Sequence, residues 1–351
     1  MVMLERVVKG NTMSLKNENK GRMWDGKSRI PTQQYKENYD EIFGKKTYFK
    51  KEDKRKSKNI QRGNHINKEK QYMFKLELDI PTIYVGYDPR EDLAYRVLKY
   101  SAHKHASGPI NIYPIKQDLL RRIGLYRRAW TLGSSSLPKP NNDSDIQHRD
   151  IFDGKPFATD FSFSRFLTPF LHRLEGWAVF MDCDMYFRSD PLELFEKYND
   201  PGYAMYCIKH NHTQASNETH KMYGNEQYNY NRKNWSSVIM YNCSHPAHKY
   251  LTVDDVSTKS GRWLHRFEWI EDYARANNLK FDDLIGNLPE EWNWLDGHSS
   301  ADIDAKNVHF TRGGPWFRGQ IWEPLDEQSE KYAVEWESIR DEYRESKNSN
   351  A

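Results

Sequence analysis

Near residue 79 the spacing of apolar and polar positions changes character. Ile80 to Asp88 is a short β-branched and aromatic run ending in Gly-Tyr-Asp-Pro, which predicts a first strand delivering a loop. PREDLAYRVLKYSAHKHAS then sets Leu93, Val97 and Tyr100 at helical spacing and closes near Gly108, and Asn111 to Ile115 alternates again. Strand, helix, strand is the opening of a mainly parallel sheet. Ser162 to Gly176, SFSRFLTPFLHRLEG, predicts a helix with an internal proline, and WAVFMD predicts a strand. SDPLELFEKY predicts a helix with Ser189 or Asp190 as N-cap and Pro191 in its first turn. GYAMYCIK, SSVIMYN and NVHFT read as further strands, helices fall around 245 to 276, and Glu330 to Glu345 reads as a charged terminal helix. Thr131 to Asp150 and His210 to Lys233 are polar loops of the kind that face a site.

The pattern predicts an α/β fold and four regions: a short N-terminal element (1–44), a basic linker (45–75), a catalytic body (79–322) and a helical tail (323–351). In the first, Tyr35, Tyr39 and Phe43 recur every four residues after Trp24, as in a short amphipathic helix that docks on a partner or on its own body. Charge is concentrated in the second. The chain of 351 residues carries a formal +3, but residues 45–70 hold eleven Lys/Arg against three Asp/Glu. The remainder, with 42 basic and 47 acidic residues, is near −5. Such a segment predicts a disordered tether with weak affinity for an anionic surface, a membrane face or nucleic acid. No run of about 18 apolar residues predicts a transmembrane segment, and MVMLERVVKGNT lacks the apolar block of a secretion signal. The expected location is cytoplasmic, at most peripheral to the inner face of a membrane.

Cys183, Cys207 and Cys243 fit neither a zinc pattern nor a disulfide framework and read as small core residues. The chemistry lies instead in AVFMDCDMYF, where Asp182 and Asp184 interrupt an apolar strand. A residue apart, they project the same way. A lone D-x-D also fits a surface turn, but three companions change the reading. The apolar approach marks an internal strand, and ligands of open α/β sheets gather at the carboxyl ends of such strands. His309 closes another apolar strand, and Arg312-Gly313-Gly314-Pro315-Trp316 follows it as backbone free to approach a ligand beside a fixed cation. Two carboxylates and an imidazole suit Mn²⁺ or Mg²⁺ with positions left for ligand oxygens, and a diphosphate is the natural occupant.

With these motifs in this order, the chain resembles the GT-A glycosyltransferases, nearest glycosyltransferase family 8, the glycogenin and lipopolysaccharide-galactosyltransferase group, in its bacterial and phage-type members. The resemblance covers about Ile80 to Gly319 and is carried by IYVGYD, SRFLTPFL, VFMDCDMYFRSDPLELF, SSVIMYN and HFTRGGPWF. It implies a Rossmann-like mixed, mainly parallel sheet flanked by helices, and transfer of a hexose, with retention, from a nucleotide diphosphate sugar to a glycan or other hydroxyl acceptor. A UDP-sugar is the favoured donor and lipopolysaccharide biosynthesis one setting. By the same resemblance Asp182, Asp184 and His309 hold the metal, with Asp182 also near the donor ribose. Gly86, Tyr87 and Asp88 lie where base and ribose bind, Arg165 contacts the donor, and Gly313, Gly314 and Trp316 lie in the loop over the diphosphate.

Three departures stand out. The family's lysine before Pro-Trp is Gly314 here, and Arg312 is its proposed substitute. The strand after the donor loop usually reads Asn-Ala-Gly-Val, whereas here Ser236 and Ser237 precede Val238 in Trp-Ser-Ser-Val. The Asp-Gln pair under the sugar is absent, leaving Glu268 or His265 as the catalytic candidate. Among rival readings, a sugar nucleotidyltransferase would want a lysine-containing phosphate loop where Gly86-Tyr87-Asp88-Pro89-Arg90 stands, and a non-catalytic carbohydrate-binding module would have lost part of the metal set. Of the tryptophans, Trp292 reads as core, while Trp263, Trp269 and Trp294 could equally stack on sugar.

Overall fold

A computed structural model of the chain describes residues 80–134, 146–210, 220–221, 225–226, 232 and 234–348. The expectations for residues 1–79, the amphipathic element and the basic linker, lie outside them. In chain order the strands are β1 (Thr82–Gly86), β2 (Asn111–Ile115), β3 (Trp130–Ser134), β4 (Ile146–Asp150), β5 (Trp177–Met181), β6 (Met185–Phe187), β7 (Met205–Cys207), β8 (His220–Lys221), β9 (Asn225–Glu226), β10 (Val238–Asn242), β11 (Ile285–Asn287), β12 (Trp294–Leu295) and β13 (Asn307–His309).

The central sheet has the order β11-β7-β10-β5-β1-β2. β1 runs parallel to β2 and β5, and β11 parallel to β7, while β10 runs against both neighbours. The sheet is therefore mixed and mainly parallel, as the sequence predicts. Every residue of β1 and β10 is buried, which fits strands covered on both faces and explains their unbroken apolar reading. Gly86 ends β1 because nothing larger fits: a Cβ there would lie 2.4 Å from the Phe161 ring.

A second sheet, β12-β13-β6, stands beside the first. Its core is aromatic and includes Tyr186, Trp294, Phe310, Trp322, Tyr332 and Trp336. The helix Asp92–His105 joins the two cores, giving Leu98 and Ala102 to one and Val97 to the other. The terminal helix, Glu327–Asn348, buries Tyr332, Ala333, Trp336 and Ile339 on one stripe. Arg188 fastens it: its guanidinium bonds Glu335 at 3.0 Å and lies 5.0 Å over the Tyr332 ring.

Four local expectations change. Residues 162–176 form not one helix but a 3-10 turn, Ser164–Leu167, and one α-turn, Thr168–Leu171. Pro169 has no N–H to offer the Arg165 carbonyl, which accepts instead from the Thr168 hydroxyl at 2.9 Å, and Arg173 and Leu174 then turn left-handed. Within 131–150, β3 and β4 pair as an antiparallel hairpin. Trp292 is core as expected, but Trp269 and Trp294 are core with it, and only Trp263 of the four stays half-buried. Cys183 is buried but not among apolar atoms alone, since its Sγ donates to Glu91 Oε2 at 3.4 Å.

Trp336 is fully buried and packs 5.4 Å from Trp316. Trp336→Ala should cost about 3–5 kcal/mol of unfolding free energy, read as a lower denaturant midpoint at unchanged slope.

Candidate metal centre

The chain passes from the first sheet to the second within three residues. β5 ends at Met181, between Val85 and Val238. The Asp182 N–H prolongs that ladder to the Ser237 carbonyl at 3.0 Å, and the Asp184 carbonyl accepts from Phe310 N–H at 2.9 Å as β6 joins β13. Both aspartates are thus held by strand hydrogen bonds on either side of Cys183. Opposite Met185 in the second ladder stands His309. Asp182, Asp184 and His309 each offer a ligand atom within 4.8 Å of the others, and His309 Nε2 lies 3.1 Å from Asp184 Oδ1. The sequence-predicted trio is therefore brought together, nearly buried.

Two carboxylates and an imidazole crowded out of water need positive charge. One cation is built in: Arg165 Nη1 sits 2.9 Å from Asp182 Oδ1. Arg165 also donates to the Ser236 carbonyl at 2.9 Å and lies about 5 Å over the rings of Phe161 and Phe180. The oxygen-rich donor set with one nitrogen fits a divalent cation of the Mg²⁺ or Mn²⁺ kind.

The other expected residues are placed as follows. Ser236 Oγ is 3.0 Å from His265 Nδ1, so His265 belongs to the Arg165 side of the site. Burial, with Arg165 nearby, pushes the His265 imidazole down to about 3. It is neutral at physiological pH and a weak proton acceptor. Glu268 opens the helix Glu268–Ala276, half-buried. Tyr87 donates to Asp92 at 2.8 Å and has Lys116 Nζ 4.7 Å over its ring. Asp88 is turned to Arg90 and to the Asp160 N–H, so it pins the loop after β1. Arg312 Nη2 is 3.0 Å from the buried Asp296 carboxylate. Gly313 is left-handed, at φ +91°, and Gly314 leaves room for Trp316, whose ring would meet a Cβ there at 2.3 Å. Trp316 itself packs edge-on to Phe310 and beside Trp336.

Two residues escape the sequence reading. Glu91, 1% exposed, lies behind the site, and burial together with the charges of Asp184 and Asp88 raises its carboxyl well above the usual range. Asn293, fully buried, bonds His309 Nδ1 at 2.9 Å. Its only signal was an amide between two core tryptophans in EWNWL. Glu91 gave none, sitting in a charged run.

Burial of His265 has a direct consequence: its ring resonances should stay fixed from about pH 8 to about pH 5, whereas an exposed imidazole would titrate near 6.5. No protein-family model matches the chain. Among solved structures, the galactosyltransferase LgtC, in complex with donor and acceptor sugar analogues, aligns over 74% of this chain and 95% of its own at 13% identity and a TM-score of 0.40. The bifunctional glycosyltransferase WbbM aligns over 68% of this chain at 15% identity and a TM-score of 0.39, and the chain spans 47% of WbbM. Protein CDI of Arabidopsis thaliana is 41% identical over 266 residues, 74% of this chain and 86% of the plant protein. At that identity and coverage the chain belongs to the same family as Protein CDI.

Proposed function

We propose that the protein is a GT-A glycosyltransferase that moves a hexose from a nucleotide diphosphate sugar, a UDP-sugar in preference, to a hydroxyl acceptor with retention of anomeric configuration. The observation that carries this reading is the convergence of Asp182, Asp184 and His309 at the carboxyl end of an internal strand, where the chain changes sheets. The order of motifs around that point supports it. Mn²⁺ or Mg²⁺ held by the trio would supply Lewis-acid neutralisation of a leaving diphosphate.

The chain's own residues do the rest. Arg165 orients Asp182 and keeps positive charge at the rim of the site. Tyr87, with Lys116 over its ring, offers a flat cationic corner beside the end of β1 for a base. Arg312 would share a donor phosphate from its place on Asp296, the carboxylate holding its fork in register. A neutral His265 leaves proton removal from the acceptor to the departing phosphate oxygen, a course that needs no strong protein base. No helix among the described residues is long and apolar enough to cross a membrane.

A panel of UDP-, GDP- and ADP-sugars tests the reading through donor hydrolysis without acceptor. Turnover should appear with Mn²⁺, vanish with chelator, return on re-addition, and drop about a hundredfold or more in Asp184→Ala. Failure of every nucleotide sugar to bind in the presence of metal would end the transferase assignment.

A further inference from the structure

Three hydrogen bonds meet on the amide of Asn293, which is fully buried between Trp292 and Trp294. Its Oδ1 lies 2.9 Å from His309 Nδ1, and its Nδ2 lies 2.8 Å from Ser237 Oγ and 3.0 Å from His210 Nε2. The surroundings dictate which end of the amide is which. Ser237 donates its hydroxyl proton to the Asn234 carbonyl at 2.6 Å, so only lone pairs remain for Asn293. The amide nitrogen must therefore face Ser237, and the amide oxygen must face His309. An acceptor against Nδ1 requires a proton to sit there, so the neutral ring carries its lone pair on Nε2, the nitrogen 3.1 Å from Asp184 Oδ1.

We propose that Asn293 is a positioning residue that fixes the tautomer of His309, and that Ser237 in turn fixes Asn293. The order runs Asn234 carbonyl, Ser237 hydroxyl, Asn293 amide, His309 imidazole, each group leaving the next a single choice. It explains why a serine stands where the related pattern has glycine: the hydroxyl at 237 serves the imidazole and not a sugar. A ligand histidine is generally held this way, through its second nitrogen on a carbonyl or carboxylate. The consequence for ion affinity rests on the metal reading of the trio; the tautomer does not.

Two measurements on the full chain separate those claims. With ¹⁵N-labelled histidine and no metal at neutral pH, long-range proton–nitrogen correlations should show His309 protonated on Nδ1. Asn293→Asp, which keeps an acceptor, should preserve that form, and Asn293→Leu should lose it. By calorimetry Asn293→Leu should bind Mn²⁺ about ten- to a hundredfold more weakly, Ser237→Ala should show a smaller loss, and Asn293→Asp should stay close to the parent. A parent chain protonated on Nε2 and not on Nδ1, or a folded Asn293→Leu with parent tautomer and affinity, overturns the proposal. If Asn293→Leu does not fold, Ser237→Ala decides, because unchanged tautomer and affinity there overturn it equally. A parent chain that binds no Mn²⁺ removes the metal reading while the tautomer still decides the role of Asn293.

Discussion

Everything at the site depends on one constraint: the chain must leave the central sheet and enter a second one in the three residues Asp182 to Asp184. Backbone bonds to Ser237 on one side and Phe310 on the other allow no slack. Each aspartate then brings a ligand atom within 4.8 Å of the other, and the register of β6 against β13 sets His309 opposite Met185, within the same reach. A slip of one residue in either ladder would send the carboxylates or the imidazole to the wrong face. Packing of the second sheet under the terminal helix is therefore part of the site, since Tyr332 and Trp336 hold the layer that carries His309.

The charges around the crossover are arranged so that few remain uncompensated. Arg165 answers Asp182, Glu91 is held toward its neutral form by burial, and His265 is neutral. Asp88 and Asp296, both buried, take Arg90 and Arg312 as partners. What is left concentrated is the Asp184 and His309 side of the trio, where a carboxylate oxygen and an imidazole nitrogen face each other at 3.1 Å. That is where added positive charge gains most.

The sequence disclosed those parts of the molecule whose residue types are unusual for their setting. Aspartates in AVFMDCDM and a histidine ending NVHF are conspicuous because an apolar strand has little other use for them, and both ends of the trio were legible. The doubly covered strands β1, β5 and β10 were legible for the opposite reason, as unbroken apolar runs. Where side chains act through each other, the linear pattern fell silent. Asn293 looks like a break between tryptophans until His309 and Ser237 are seen on either side of it. The β3–β4 hairpin was hidden because its strands carry little alternation, with Trp130 and Leu132 both exposed. Pro169 converted an apparent helix into two turns, the first of which carries Arg165.

The central claim is that Asp182, Asp184 and His309 share one divalent cation. Anomalous scattering from a crystal of the full chain soaked in Mn²⁺ tests it most directly. The account predicts a single strong peak in coordination contact with all three side chains. A peak held by other residues, or none at saturating Mn²⁺, would contradict it.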